Sequence, residues 1–436
     1  MYLTTSTILI VMVAAFVLSS IFLKSPEISM FLSAVAGAVA GMIMGIGDLN
    51  VTRSVTVLIE GLFTNFDLAI LFICASLFVN VYSHTGAMTA VTRKIVGKVE
   101  NKWVILIFMA IFMMIPGALT GAGSVSVFVL GALVATVVKY MGLSDRKAVA
   151  FVFMFAIMSA AAPPINLWTM LITAGANMPY VGFTWLLLIP LVVVGAFTII
   201  FLGWGSKRDS KAKILAELPE APEKMNWIRI LLPLLTLVVL ILLSLYTPFS
   251  VPVFGMPLMF FIATVVAVIC NPNKATVKDY LKVLNDTMEQ VFPLVATVIS
   301  VGALVNVMAA TGVRGLIGIT FITMPVIWIY ILLLVFGPFS QGCLSYGSAI
   351  LIGVPLVFMM NTRGMDTTVV CAAVSLIFPL GDCLPPSRIV GRVSIDTVGF
   401  KGTYMEFLKQ IAVPCLILGL IALLMFIRPM WFTFLK

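Results

Sequence analysis

The residues of this chain with the most chemical reach are few, and they gather at turns. Two stretches combine glycine with hydroxyl and amide side chains, Thr120-Gly121-Ala122-Gly123-Ser124 and Ser340-Gln341-Gly342-Cys343-Leu344-Ser345. Hard cations take oxygen ligands of this kind, and a helix N-terminus exposed at such a turn favours an anion. Two further stretches carry a proline pair: Ala162-Pro163-Pro164-Ile165-Asn166 and Gly381-Asp382-Cys383-Leu384-Pro385-Pro386-Ser387-Arg388. Asp382 can bind a cation or exchange a proton, and Arg388 can grip a carboxylate through a forked pair of hydrogen bonds. Asn166 is a weaker candidate ligand. Structural readings stand beside these: small residues let two helices pack closely, and Asp382 and Arg388 can pair with each other across the break.

The elements that position these residues are membrane spans. Of 436 residues, 62% are hydrophobic and 10% charged, with a mean hydropathy of +1.19. That balance belongs to a polytopic, all-α membrane protein. The net charge of +9 does not point to nucleic acid, because Lys and Arg sit in loops between apolar runs. The six cysteines show no C-x-x-C spacing and read as small core residues. His84 is the only histidine, so a multi-histidine metal centre is excluded, and no His/Asp/Ser cluster suggests an enzyme. The N-terminus lacks a basic leader and a cleavage site, and reads as a retained first span.

Adjacent prolines remove two N–H donors and push the preceding residue out of the helical region. Inside a bilayer such a break is tolerated only where it is buried in protein or lines a wet cavity. Two broken spans at matching places in two halves mark a transporter's binding site. Apolar runs fall at about 7–23, 28–47, 66–83, 103–140 (interrupted at Pro116–Gly123), 147–175 and 184–204. After a polar linker at 205–226 the plan repeats: 227–246, 251–270, 289–308, a pair at 325–339 and 344–360, 367–395, and 408–427. Val79-Asn80-Val81 with Thr85-Gly86 maps onto Val305-Asn306-Val307 with Thr311-Gly312 at a shift of 226, and both Pro116 and Pro163 map onto Pro338 and Pro385 at a shift of 222. Two repeats, 1–204 and 227–436, are therefore expected.

The fourth element of each half reads as a re-entrant hairpin, 103–140 and 325–360, its arms shorter than the roughly 20 residues of a full crossing. Two short complete spans give the same topology. Each half then makes an odd number of crossings, which inverts the second half relative to the first. Lys and Arg divide 20 to 5 between the two sides, with Arg388 inside a span. The rich side, including the linker, is cytoplasmic, and both termini face out.

The order hairpin, Pro-Pro-broken span, further span, twice over, resembles the large membrane (DctM-like) subunit of TRAP transporters, within the ion transporter superfamily. The resemblance rests on Gly117–Ser124, Ala162-Pro163-Pro164-Ile165-Asn166, the 174–190 segment, Gly342, Gly347-Ser348, Pro355 and Leu384-Pro385-Pro386. It implies an elevator-type, sodium-coupled importer of a small organic anion such as a C4-dicarboxylate, in a bacterial inner membrane. It also implies a small four-span subunit and an extracytoplasmic binding protein as partners, with Na+ near Ser124, Ala162, Ser345 and Asp382. The chain runs only nine residues past its last span, so substrate capture outside is expected of another polypeptide. Two features depart from the family pattern: the tip reads Thr120-Gly-Ala-Gly-Ser124, and Ser387-Arg388 stands where small or aliphatic residues are usual. These leave open a symporter that works without a binding protein. An ion channel needs a continuous polar pore, which the sparse charge disfavours.

Overall fold

A computed structural model describes residues 2–46, 49–209, 211–222, 225–246, 255–272, 275–385 and 388–436, the side chains of 2, 211, 212 and 244–246 excepted. Every regular element among them is helical, and nine helices are long and apolar enough to cross a membrane. The order of elements after the linker parallels the order before it. Tyr2–Leu23 and Pro26–Ile43 correspond to Trp227–Tyr246 and Met256–Cys270. Val51–His84 corresponds to Val277–Ala310, each 34 residues long. Both end in a Thr-Gly turn whose glycine is left-handed, Gly86 and Gly312 at φ +76°.

These long helices exceed the apolar runs that predicted them, 66–83 and 289–308. The extensions are polar: Val51–Thr64 carries Arg53 and Glu60, and the start of Val277–Ala310 carries Lys278, Asp279, Lys282, Asp286 and Glu289. That start is fixed by a capping box in which Thr276 Oγ1 accepts from the Asp279 N–H and Asp279 accepts from the Thr276 N–H. The two long helices cross at Gly61 and Gly302. A methyl group on Gly61 would come within 2.6 Å of the Ala303 Cα, so the crossing is backbone on backbone. Val277–Ala310 also packs on Pro26–Ile43 and Phe66–His84, and Met256–Cys270 lies against Phe66–His84, completing one group of helices.

The hairpins and broken helices form the other group. Asp145–Ala161 is buried on every side from Ala148 onward, and Thr367–Ile377 from Val369 onward. An all-round apolar helix belongs at the centre of a bundle, and Lys102–Thr120, Thr184–Gly203 and Tyr404–Ile427 pack around Asp145–Ala161.

The hairpin arms correct the expected bounds. The first runs Lys102–Thr120 and then Gly123–Tyr140, so the helix continues through Pro116 rather than breaking there. Proline removes one N–H but not the following turn, and Thr120 Oγ1 donates to the Pro116 carbonyl at 2.8 Å. The real stop is Gly121, at φ +71°. In the second hairpin, Val326–Leu344 carries a π-helical turn at Leu332–Phe336 immediately before Pro338, and the return arm is Ala349–Thr362. The wider turn absorbs the missing donor. Arms of 19 and 18 residues in the first hairpin are longer than the interrupted runs implied.

The linker is strapped down. The Arg93 guanidinium donates to the carbonyls of Leu215, Leu218 and Pro219, Lys102 reaches Gly203 and Ser206, and the Asp209 N–H donates to the Tyr140 carbonyl.

Candidate functional site

The two breaks and the two tips meet. In the first break, Ala162 turns extended, the Pro163–Pro164 peptide is cis, and the Ile165 N–H donates to Ala118 of the first hairpin at 3.1 Å. Asn166 restarts the helix: its Oδ1 accepts from the Thr169 N–H at 3.0 Å. Its Nδ2 donates to the Ala161 carbonyl at 2.9 Å and to Ser375 Oγ at 3.3 Å. Both ends of this amide are therefore occupied in holding the break closed and joining it to Thr367–Ile377.

The second break follows the same logic with different chemistry. Thr367–Ile377 tightens into a 3-10 turn over Phe378–Cys383, becomes extended at Leu384, and resumes as Ile389–Val398. Asp382 is buried, and its Oδ1 accepts from Gln341 Nε2 at 3.0 Å. The other end of that amide, Gln341 Oε1, accepts from Trp168 Nε1 at 2.8 Å and from Ser348 Oγ at 2.9 Å. One side chain thus joins the second hairpin, the second break and the restarted half of the first broken helix. Gly342 and Gly381 make the approach possible: a methyl on Gly342 would stand 3.0 Å from the Pro385 carbonyl, and one on Gly381 would collide with that of Pro338.

Tyr346 connects the tips. Its hydroxyl donates to the Gly121 carbonyl at 3.3 Å, and its ring lies 4.9 Å from that of Trp168. Gly123 is seated against Asp145–Ala161, where a methyl would lie 2.7 Å from the Ala156 carbonyl.

Between this assembly and the long helices lies a cavity of about 600 Å³. Ala122 and Ser124 line it from the first tip, Ser345 and Tyr346 from the second, and Asp382 from the break. The facing wall comes from Val277–Ala310 and Pro26–Ile43, with Asp286, Glu289, Gln290, Thr297 and Glu27. Four carboxylates and no Lys or Arg line it among the described residues. A smaller cavity of about 240 Å³ adjoins it, sharing Phe128, Asp286 and Gln290 and reaching Asn80 and His84. Asn80 Nδ2 donates to Thr287 Oγ1 and Gln290 Oε1, at 2.9 and 3.0 Å, tying two long helices together.

The expected site residues divide accordingly. Ser124, Ser345 and Asp382 face the cavity. Thr120, Gly121, Gly123, Ala162, Pro163, Asn166, Gln341, Gly342, Gly381 and Pro385 belong to the surrounding turns and breaks. Ser340 lies on the opposite surface of its hairpin, donating to the Gly337 carbonyl at 2.7 Å. Arg388 makes no ion pair with Asp382 among the described residues; its guanidinium lies 4.8 Å from the Tyr404 ring centroid, and it is absent from the cavity lining. Ser387 lies outside the described residues. Glu27, Asp286, Glu289, Trp168 and Tyr346 are additions from the structure. A signal existed for the long helix: Asp286, Glu289/Gln290, Pro293/Leu294 and Thr297 recur at helical spacing, one stripe facing one cavity.

The chain matches no family model and no curated protein. Its fold is similar to the YdaH transporter of Alcanivorax borkumensis (TM-score 0.65, 14% identity, 88% of this chain and 90% of that one). It is equally similar to Neisseria gonorrhoeae MtrF, described within a class of antimetabolite efflux pumps (TM-score 0.65, 10% identity, 93% and 94%). These neighbours belong to a different transporter family from the TRAP subunits that the motifs resemble. The chain has the fold of these polytopic membrane transporters.

Proposed function

We propose that the chain is a secondary active transporter, not an enzyme, in which the cavity between the tips and the long helices is where solute and coupling cation meet. The observation that carries this reading is the composition of its lining: both tips and the second break on one wall, the long helix on the other. The two halves, 1–204 and 227–436, act as inverted repeats joined by a cytoplasmic linker. The hairpin group moves as one body against the long-helix group and exposes the cavity alternately.

The acidic lining sets the coupling. An anion is repelled from a cavity lined by four carboxylates until cations neutralise them. For a small organic anion, cation binding therefore comes first, and sodium is the cation the motifs favour, with ligands at Ser124, Ser345, Asp382 and the carbonyls near Ala162. A small four-span subunit and a binding protein are the partners such an importer takes, and the exposed apolar faces of Tyr2–Leu23 and Trp227–Tyr246 offer room for the former. Export is the second reading, favoured by the fold shared with MtrF.

Purified protein in liposomes decides between them. Uptake of labelled C4-dicarboxylates driven by an inward sodium gradient supports the import reading. Movement only against an imposed outward solute load, driven by protons, supports export. Flux that ignores every ion gradient and shows no saturation would falsify coupled transport.

A further inference from the structure

The second hairpin has another surface, turned away from the acidic cavity. Two apolar hollows border it: one of about 580 Å³ against Val313–Thr323 and the end of Val277–Ala310, the other of about 350 Å³ against Tyr2–Leu23. They share Met308, Ile317 and Leu351, and so form one trough. Arg314, at one end, is its only charged lining residue among the described residues. Ile319, Ile322, Phe339 and Phe358 line the trough and are exposed, so its mouth opens toward the bilayer rather than toward water.

We propose that the trough holds a membrane phospholipid, with an acyl chain along the apolar wall and the phosphodiester at Arg314. The guanidinium donates to the Gly175 carbonyl and lies 6.0 Å from the Phe358 ring centroid. Five N–H donors in a planar fork leave enough for a phosphate as well. A chain passing from bilayer to trough gains nothing from hydrophobic transfer, since both are equally apolar. Retention therefore rests on the charge-assisted hydrogen bonds of Arg314. A water-soluble anion lacks the chain that fits the wall and would have to cross the apolar mouth. The bound lipid fills the space between the hairpin and the long helix, so the hairpin's two surfaces face different media: a polar cavity and a lipid. The inference concerns the chain's own surface and does not depend on the identity of the cargo.

A photoreactive amino acid in place of Met308, irradiated in native membranes, tests it. The expected product is an adduct with the mass of a phospholipid, reduced about tenfold by Arg314→Ala and largely retained in Arg314→Lys, which keeps the charge. Melting temperatures of the two variants are compared, so that loss of fold is separated from loss of lipid. A phospholipid adduct unchanged in a folded Arg314→Ala protein overturns the headgroup assignment. An adduct with a second copy of the chain, or with another polypeptide, overturns the proposal, as does the absence of any lipid adduct in the folded protein.

Discussion

Gln341 donates to the carboxylate of Asp382 at 3.0 Å while its amide oxygen receives the indole N–H of Trp168 and the hydroxyl of Ser348. Trp168 and Asp382 fix the amide in one orientation, because the indole N–H can only donate and the carboxylate accepts, while the Ser348 hydroxyl could serve either way. Gln341→Leu strands the Trp168 indole N–H and removes the amide from the Asp382 carboxylate, while Ser348 keeps the Ser345 carbonyl as partner. At about 1–3 kcal/mol for each unsatisfied group, the expected result is a large fall in melting temperature or failure to fold. Gln341→Glu keeps the acceptor for Trp168 and Ser348 but sets a second carboxylate against Asp382. It is expected to fold and to transport poorly, and Asp382→Asn in that background is expected to raise its melting temperature.

The cation requirement should sit in the cavity lining. Asp382→Asn, Asp286→Asn and Glu289→Gln are each expected to raise the cation concentration for half-maximal flux, Asp382→Asn most strongly, by about tenfold or more. Flux titrations in liposomes measure this. Wild-type cation dependence in all three variants would overturn the assignment of the acidic wall.

Ser124 and Ser345 differ from Ser340 in the surface they face. Replacing either of the first two with leucine is expected to abolish cation-stimulated flux. Ser340→Ala removes one hydrogen bond, to Gly337, and is expected to cost about 1 kcal/mol of stability while leaving the cation titration unchanged.

Asn166→Ala removes a helix N-cap and the bridge to Ser375. Loss of the cap alone costs about 0.5–2 kcal/mol. The expected signature is a lowered melting temperature with the half-maximal cation concentration preserved, since neither amide atom of Asn166 faces the cavity.

Movement of one group of helices past the other is tested by cross-linking in a background with the six native cysteines replaced. Ala122 and Val291 line the same cavity from opposite walls. A cysteine pair at these positions is expected to join and to arrest flux. A second pair, from Ala122 to a different depth on Val277–Ala310, is expected to join only under other cation and solute conditions. A single register under all conditions would count against the elevator.

Much of this arrangement was legible in the sequence, for a physical reason. Proline pairs and glycine-rich turns in apolar runs have few solutions inside a bilayer, and the helices do stop at Ala161, Cys383 and Thr120, beside those residues. Pro116 does not mark the break that its ring suggests, because one missing donor does not end a helix whose next turn is intact. The wall bearing Asp286 and Glu289 is hidden from hydropathy because its helix begins in a charged segment, and hydropathy marks where a helix is apolar, not where it starts. In the sequence Gln341 is one polar residue among several at a tip; its contacts with Trp168, 173 residues away, and with Asp382, 41 residues away, belong to tertiary packing. Arg388 shows the same limit: its charge was legible, but its stacking on Tyr404 depends on where Tyr404–Ile427 happens to lie.

The backbone contact at Gly61 and Gly302 leaves the two longest helices no compressible layer between them. Side chains at a crossing can change rotamer and let helices splay, but bare backbone cannot. A bilayer thinner or thicker than the apolar belt therefore cannot be met by opening this crossing. The mismatch passes instead to the tilt of the whole frame or to the surrounding lipid.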